Sequence, residues 1–158
     1  MHIAGTGRFV FITQWIAAVV LPAFFFVGRA FVGADAGWLA VLGIVYGFFV
    51  ILLLLLPPLL TVFDRDVRKA KATRRWYDIA TFVLWGAFLV ASLTVPDAGD
   101  SGPVNSALTN WTNGLVTNDA AAVVCGIAGI VIGIAYLATF VLAIMGIARA
   151  GRAPAEPA

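Results

Sequence analysis

The chain has 158 residues, 62% of them hydrophobic and 11% charged, with a mean hydropathy of +1.01. Soluble domains are nearer half apolar and a quarter charged, so this balance excludes an ordinary soluble domain and points to lipid as the solvent. The formal charge of +2 comes from one local basic cluster and gives no reason to expect a nucleic-acid partner. The lone Cys125 excludes an intrachain disulfide.

The apolar residues are blocked into long runs, and a run of about 20 can cross a hydrocarbon core of roughly 30 Å as a helix. Four segments qualify: Phe9 to Val27, Trp38 to Phe63, Ile79 to Val95 and Ala120 to Ile147, none holding Asp, Glu, Lys, Arg or His. The short alternating stretches of a β-barrel are missing. The expected fold is therefore an all-α integral membrane protein, a four-transmembrane-helix up-down bundle, since loops this short suit antiparallel neighbours. Residues 1–148 form its single domain and 149–158 a disordered cytoplasmic tail, small-residue and proline-rich. A cleaved signal peptide ending near Ala34-Asp35-Ala36 is the competing reading of the first segment. Its apolar run of 19 residues is longer than a usual signal core, which favours a retained helix.

Basic residues set the expected orientation. With four crossings, one side holds Arg8, Arg65, Arg68, Lys69, Lys71, Arg74, Arg75, Arg149 and Arg152, and the other holds only Arg29. The positive-inside rule places the nine in the cytoplasm with both termini, in a multi-pass protein of the cell (plasma) membrane.

In the first segment Gln14 is the polar residue most costly to place against lipid, and it is expected to bond within the bundle. In the second, Gly43 and Gly47 stand four apart and permit close helix packing. Pro57-Pro58 deprives the carbonyls of Leu53 and Leu54 of helical partners. Trp38 to Leu56 already spans about 28 Å, so the pair is expected near the cytoplasmic boundary, as a bend into the loop.

The loop from Asp64 to Asp78 carries Arg65, Arg68, Lys69, Lys71, Arg74 and Arg75 against three acids. These six are candidates for contact with anionic lipid, with Trp76 and Tyr77 at headgroup level. In the outer loop Val104, Leu108, Trp111 and Leu115 recur at helical spacing. Pro103 to Asn113 is therefore expected as a short amphipathic helix, opened by Pro103 after Ser101 or Gly102 and stopped at Gly114, its stripe buried on lipid or on the bundle mouth. In the fourth segment Gly129 and Gly133, extended by Cys125 and Ala121, form a second packing face, within the bundle or between chains.

Chemistry is sparse. His2 is the only histidine, so a transition-metal or haem site has no ligand set, and no cofactor is expected. Asp97, Asp100 and Asp119 are read as solvated loop carboxylates, with Arg29 opposite them in a weak exposed salt bridge. No catalytic set or intramembrane ionisable pair is present. The expected function is that of a small non-enzymatic membrane protein acting by association: an accessory subunit, assembly factor or envelope component. Its expected partners are membrane lipids and a membrane protein or second copy. The alternative is a small channel or facilitator working as an oligomer, for which Gln14, Tyr46 and Tyr136 supply a sparse polar stripe.

Overall fold

A computed structural model describes residues 5–151; His2, Arg152 and the expected tail beyond residue 151 lie outside them. The elements are α1 (Gly7–Phe26), a 3-10 turn (Gly28–Val32), α2 (Trp38–Phe63), α3 (Arg65–Ala70), α4 (Arg75–Thr94), β1 (Asp97–Gly99), β2 (Gly102–Val104), α5 (Ala107–Trp111) and α6 (Asn118–Ala150). Four helices, α1, α2, α4 and α6, are long and apolar enough to cross a membrane. At 33 residues, α6 is about 50 Å long, enough to extend well past a hydrocarbon core of roughly 30 Å.

The long helices touch in a closed ring: α1 on α2, α2 on α6, α6 on α4 and α4 on α1. Consecutive long helices are thus neighbours except at one connection. α2 and α4 sit diagonally, and α3 with the residues after it carries the chain across the basic end. The expectation that short loops join packed neighbours fails there, because this loop contains a helix of its own and has the reach to cross.

Packing of α6 rests on alanine. Ala121, Ala128, Ala135, Thr139, Ala143 and Gly146 are its buried residues, and the seven-residue steps from Ala121 to Ala135 keep one narrow face inward. Small side chains let backbones approach, which is how helices associate where lipid removes the hydrophobic drive. On α2 the Phe26 side chain covers both glycines. An added Cβ would stand 2.5 Å from Phe26 Cβ at Gly43 and 3.4 Å from Phe26 Cδ2 at Gly47.

Pro57 and Pro58 lie inside α2, which continues to Phe63, and both are buried. The pair is not a bend into the loop. The Leu53 carbonyl, which loses residue 57 as a donor, instead receives the Tyr136 hydroxyl of α6 at 3.0 Å. A cross-helix bond replaces the missing helical one.

The segment between α4 and α6 differs from expectation as well. Asp97 to Gly99 pairs antiparallel with Gly102 to Val104, so Pro103 and Val104 lie in a hairpin. The helix starts only after Ser106, whose hydroxyl accepts from Thr109 N at 3.2 Å, and it is finished by Asn113 and Gly114 at φ +50 and +82. Of the expected stripe, Val104 packs towards Gly99 in the hairpin, Leu108 is half-buried, and Trp111 and Leu115 are 54% and 90% exposed. The helical spacing of those four residues does not reflect one helix.

Candidate functional site

Polar side chains collect at both ends of the helix ring, where they tie together segments remote in sequence. At the hairpin end Arg29, on the 3-10 turn, is only 2% exposed. It donates to the Val95 carbonyl at 3.1 Å and pairs with Asp97. The Asp97 carboxylate also accepts from Leu39 N at 3.0 Å, capping the first turn of α2 where the helix dipole favours an anion. The expected weak exposed salt bridge is therefore a buried one that joins the turn after α1, the start of α2 and the hairpin. Asp100 and Asp119 are exposed. The same end is fastened by Trp111 Nε1, which donates to the Val32 carbonyl at 2.7 Å, and by Asn110 Nδ2, which donates to the Gly33 carbonyl at 2.8 Å.

The basic end is built on two buried carboxylates. Asp64 caps α3, accepting from Asp66 N at 3.0 Å, and takes Arg74 Nε at 3.0 Å. Arg74 also reaches Asp66 at 3.0 Å. Hydrogen bonding to Asp64 raises the guanidinium pKa above its ordinary value, so Arg74 stays charged at any physiological pH. Gly146 makes this possible on α6, since a Cβ there would collide with the Asp64 carboxylate. Asp78, in the first turn of α4, accepts from the Thr6 hydroxyl at 2.7 Å and from the Thr73 hydroxyl. Thr73 N donates to the Gly7 carbonyl at 3.1 Å. A Cβ on Gly7 would block that approach, standing 2.5 Å from Thr73 O.

Further inside the ring, Tyr77 donates its hydroxyl to Gln14 Oε1 at 2.8 Å. Gln14 Nε2 donates to the Phe11 carbonyl at 3.2 Å and lies 3.4 Å from Thr61 Oγ1, while Thr61 donates to the Pro58 carbonyl at 2.7 Å. Gln14 thus bonds among the helices, and so does Tyr77. Of the two aromatics expected at headgroup level, only Trp76 is exposed.

The candidate residues are distributed as follows. Arg65, Arg68, Lys69, Lys71 and Arg75 are exposed at one end, whereas Arg74 turns inward to its two aspartates. Because Asp64 and Asp78 are buried, the loop presents these five cations with Asp66 as its exposed acid. Gly43 and Gly47 lie under Phe26, but a Cβ added at Gly129 or Gly133 would meet nothing within 4 Å; the inward face of α6 is the alanine one. Among the described residues no group of three or more His, Cys, Asp or Glu is placed to hold a metal. No family model, curated protein or solved structure matches the chain.

Proposed function

We propose that the chain is a non-enzymatic, multi-pass protein of the cell membrane that acts by association, as an accessory subunit, assembly factor or envelope component. In this reading the four long helices form an up-down bundle with its basic end and both termini in the cytoplasm. The nine-to-one distribution of basic residues supports that orientation. The five outward cations lie against anionic headgroups, each contributing about 1 kcal/mol near a charged surface.

The observation that carries the proposal is the contrast between two sets of glycines. Gly43 and Gly47 are used inside the chain, covered by Phe26, while a Cβ added at Gly126, Gly129 or Gly133, on one flank of α6, would enter open space. Beside that flank runs an apolar groove of about 200 Å³ between α2 and α6, lined by Leu53, Ile132, Gly133 and Tyr136 among others. A flank of small residues is where another transmembrane helix can approach closely. The channel reading draws less support, since Gln14 is engaged in bonds among the helices and Tyr136 with the Leu53 carbonyl.

The test is the mass of the assembly extracted gently into lipid nanodiscs, for the native chain and for Gly129→Ile/Gly133→Ile. The expected result is a defined complex, with a second copy or a foreign subunit, that the double variant loses while its own melting temperature is unchanged. A native chain that is monomeric and without a protein partner would overturn the proposal.

A further inference from the structure

Serine and threonine hydroxyls within the long helices follow one habit. Thr13, Ser92 and Thr94 donate to the carbonyl four residues back, and Thr61 and Thr139 to the one three back. This is the usual way for Ser and Thr to satisfy themselves in an apolar setting. Thr81 on α4 does not. It is 3% exposed, and its Oγ1 is buried without a hydrogen-bond partner.

Thr81 lines a void of about 20 Å³ bounded by all four long helices, through Gln14, Ala18, Pro58, Tyr77 and Thr139 among others. A water needs roughly 10–15 Å³ of such space and two to four polar partners. The inventory of those partners is lopsided. The Tyr77 proton goes to Gln14, the amide protons of Gln14 are directed at Phe11 and Thr61, and the Thr139 proton goes to Tyr136. Each of these groups still has an oxygen able to accept. Pro58 also withholds the N–H that the Leu54 carbonyl would take in a regular helix. Among the hydroxyl and amide groups of the residues lining this void, Thr81 therefore holds the one uncommitted proton.

We propose that this void is a built site for one buried water, which accepts from Thr81 and donates to two of the oxygens of Tyr77, Gln14 and Thr139. An occupant must be small, supply two donors and take one proton, and water meets all three conditions. Held there, it joins α4 to α1, to α6 or to both where the two prolines interrupt the hydrogen bonding of α2.

The site is tested with Thr81→Val and Thr81→Ser in the full chain. Valine keeps the shape of threonine but removes its donor. With water in place the valine variant loses about 2–4 °C of melting temperature and the serine variant retains most of the stability. A structure that resolves ordered waters shows one within hydrogen-bond reach of Thr81 Oγ1. In a dry void valine would instead relieve an unpaired hydroxyl. An unchanged or raised melting temperature for Thr81→Val overturns the proposal, and so does an empty void in that structure with Thr81 bonded directly to Tyr77.

Discussion

Arg29 and Asp97 carry more structural consequence than any other side-chain pair at the hairpin end. Removing one member of a buried ion pair typically costs about 3–5 kcal/mol, mainly because the other charge is left uncompensated. Arg29→Met should therefore destabilise the protein by about 3 kcal/mol, read as the free energy of unfolding in mixed micelles. Adding Asp97→Asn should recover part of the loss, since Asn still accepts from Leu39 N but leaves no orphan charge. A double variant less stable than Arg29→Met would contradict this picture of the pair. Nothing in the sequence distinguishes Arg29 from an ordinary exposed loop base. Its burial depends on residues 66 and 68 positions away. The burial of Asp64 and Asp78 likewise depends on partners brought by other segments. Gln14 was legible, because an amide inside an apolar run has few ways to avoid a large desolvation cost.

The long helices follow directly from hydropathy, since length and apolar content alone qualify a segment to span. What hydropathy cannot resolve is which flank of such a helix is covered, because lipid-facing and protein-facing residues are equally apolar. On α6 glycine spacing drew attention to the flank that the structure leaves open, while the covered face is marked by the quieter recurrence of Ala121, Ala128 and Ala135. Ala128→Leu and Ala135→Leu should each cost about 1–3 kcal/mol by forcing α6 from its neighbours, measurable in the same unfolding assay. Leucine at exposed Val123 should cost nothing comparable, and equal effects at all three positions would contradict the packing. Between α4 and α6 helical spacing misled because four apolar residues matched one period by chance. The better signal was Ser106, which starts α5, with Gly102 at φ +127 turning the hairpin before it.

For the molecule as a whole, the proposed orientation predicts that reporters fused at either terminus or at residue 70 report cytoplasm, and that those at residues 33 and 105 report the outside. The reverse pattern would invert the protein and move its basic end away from the anionic leaflet. The ring of helices was only partly legible. Four spans follow from composition, but the diagonal placement of α2 and α4 depends on a loop that folds as α3, ties itself to Asp64 and crosses the end. Association through α6 is tested most directly by photocrosslinking within membranes. A benzophenone side chain placed at residue 133, on the open glycine flank, should yield a discrete protein adduct in intact membranes. The same group at Ile44, exposed on α2, should label lipid alone. Lipid labelling at both positions, with no protein adduct from residue 133, would contradict association through this flank.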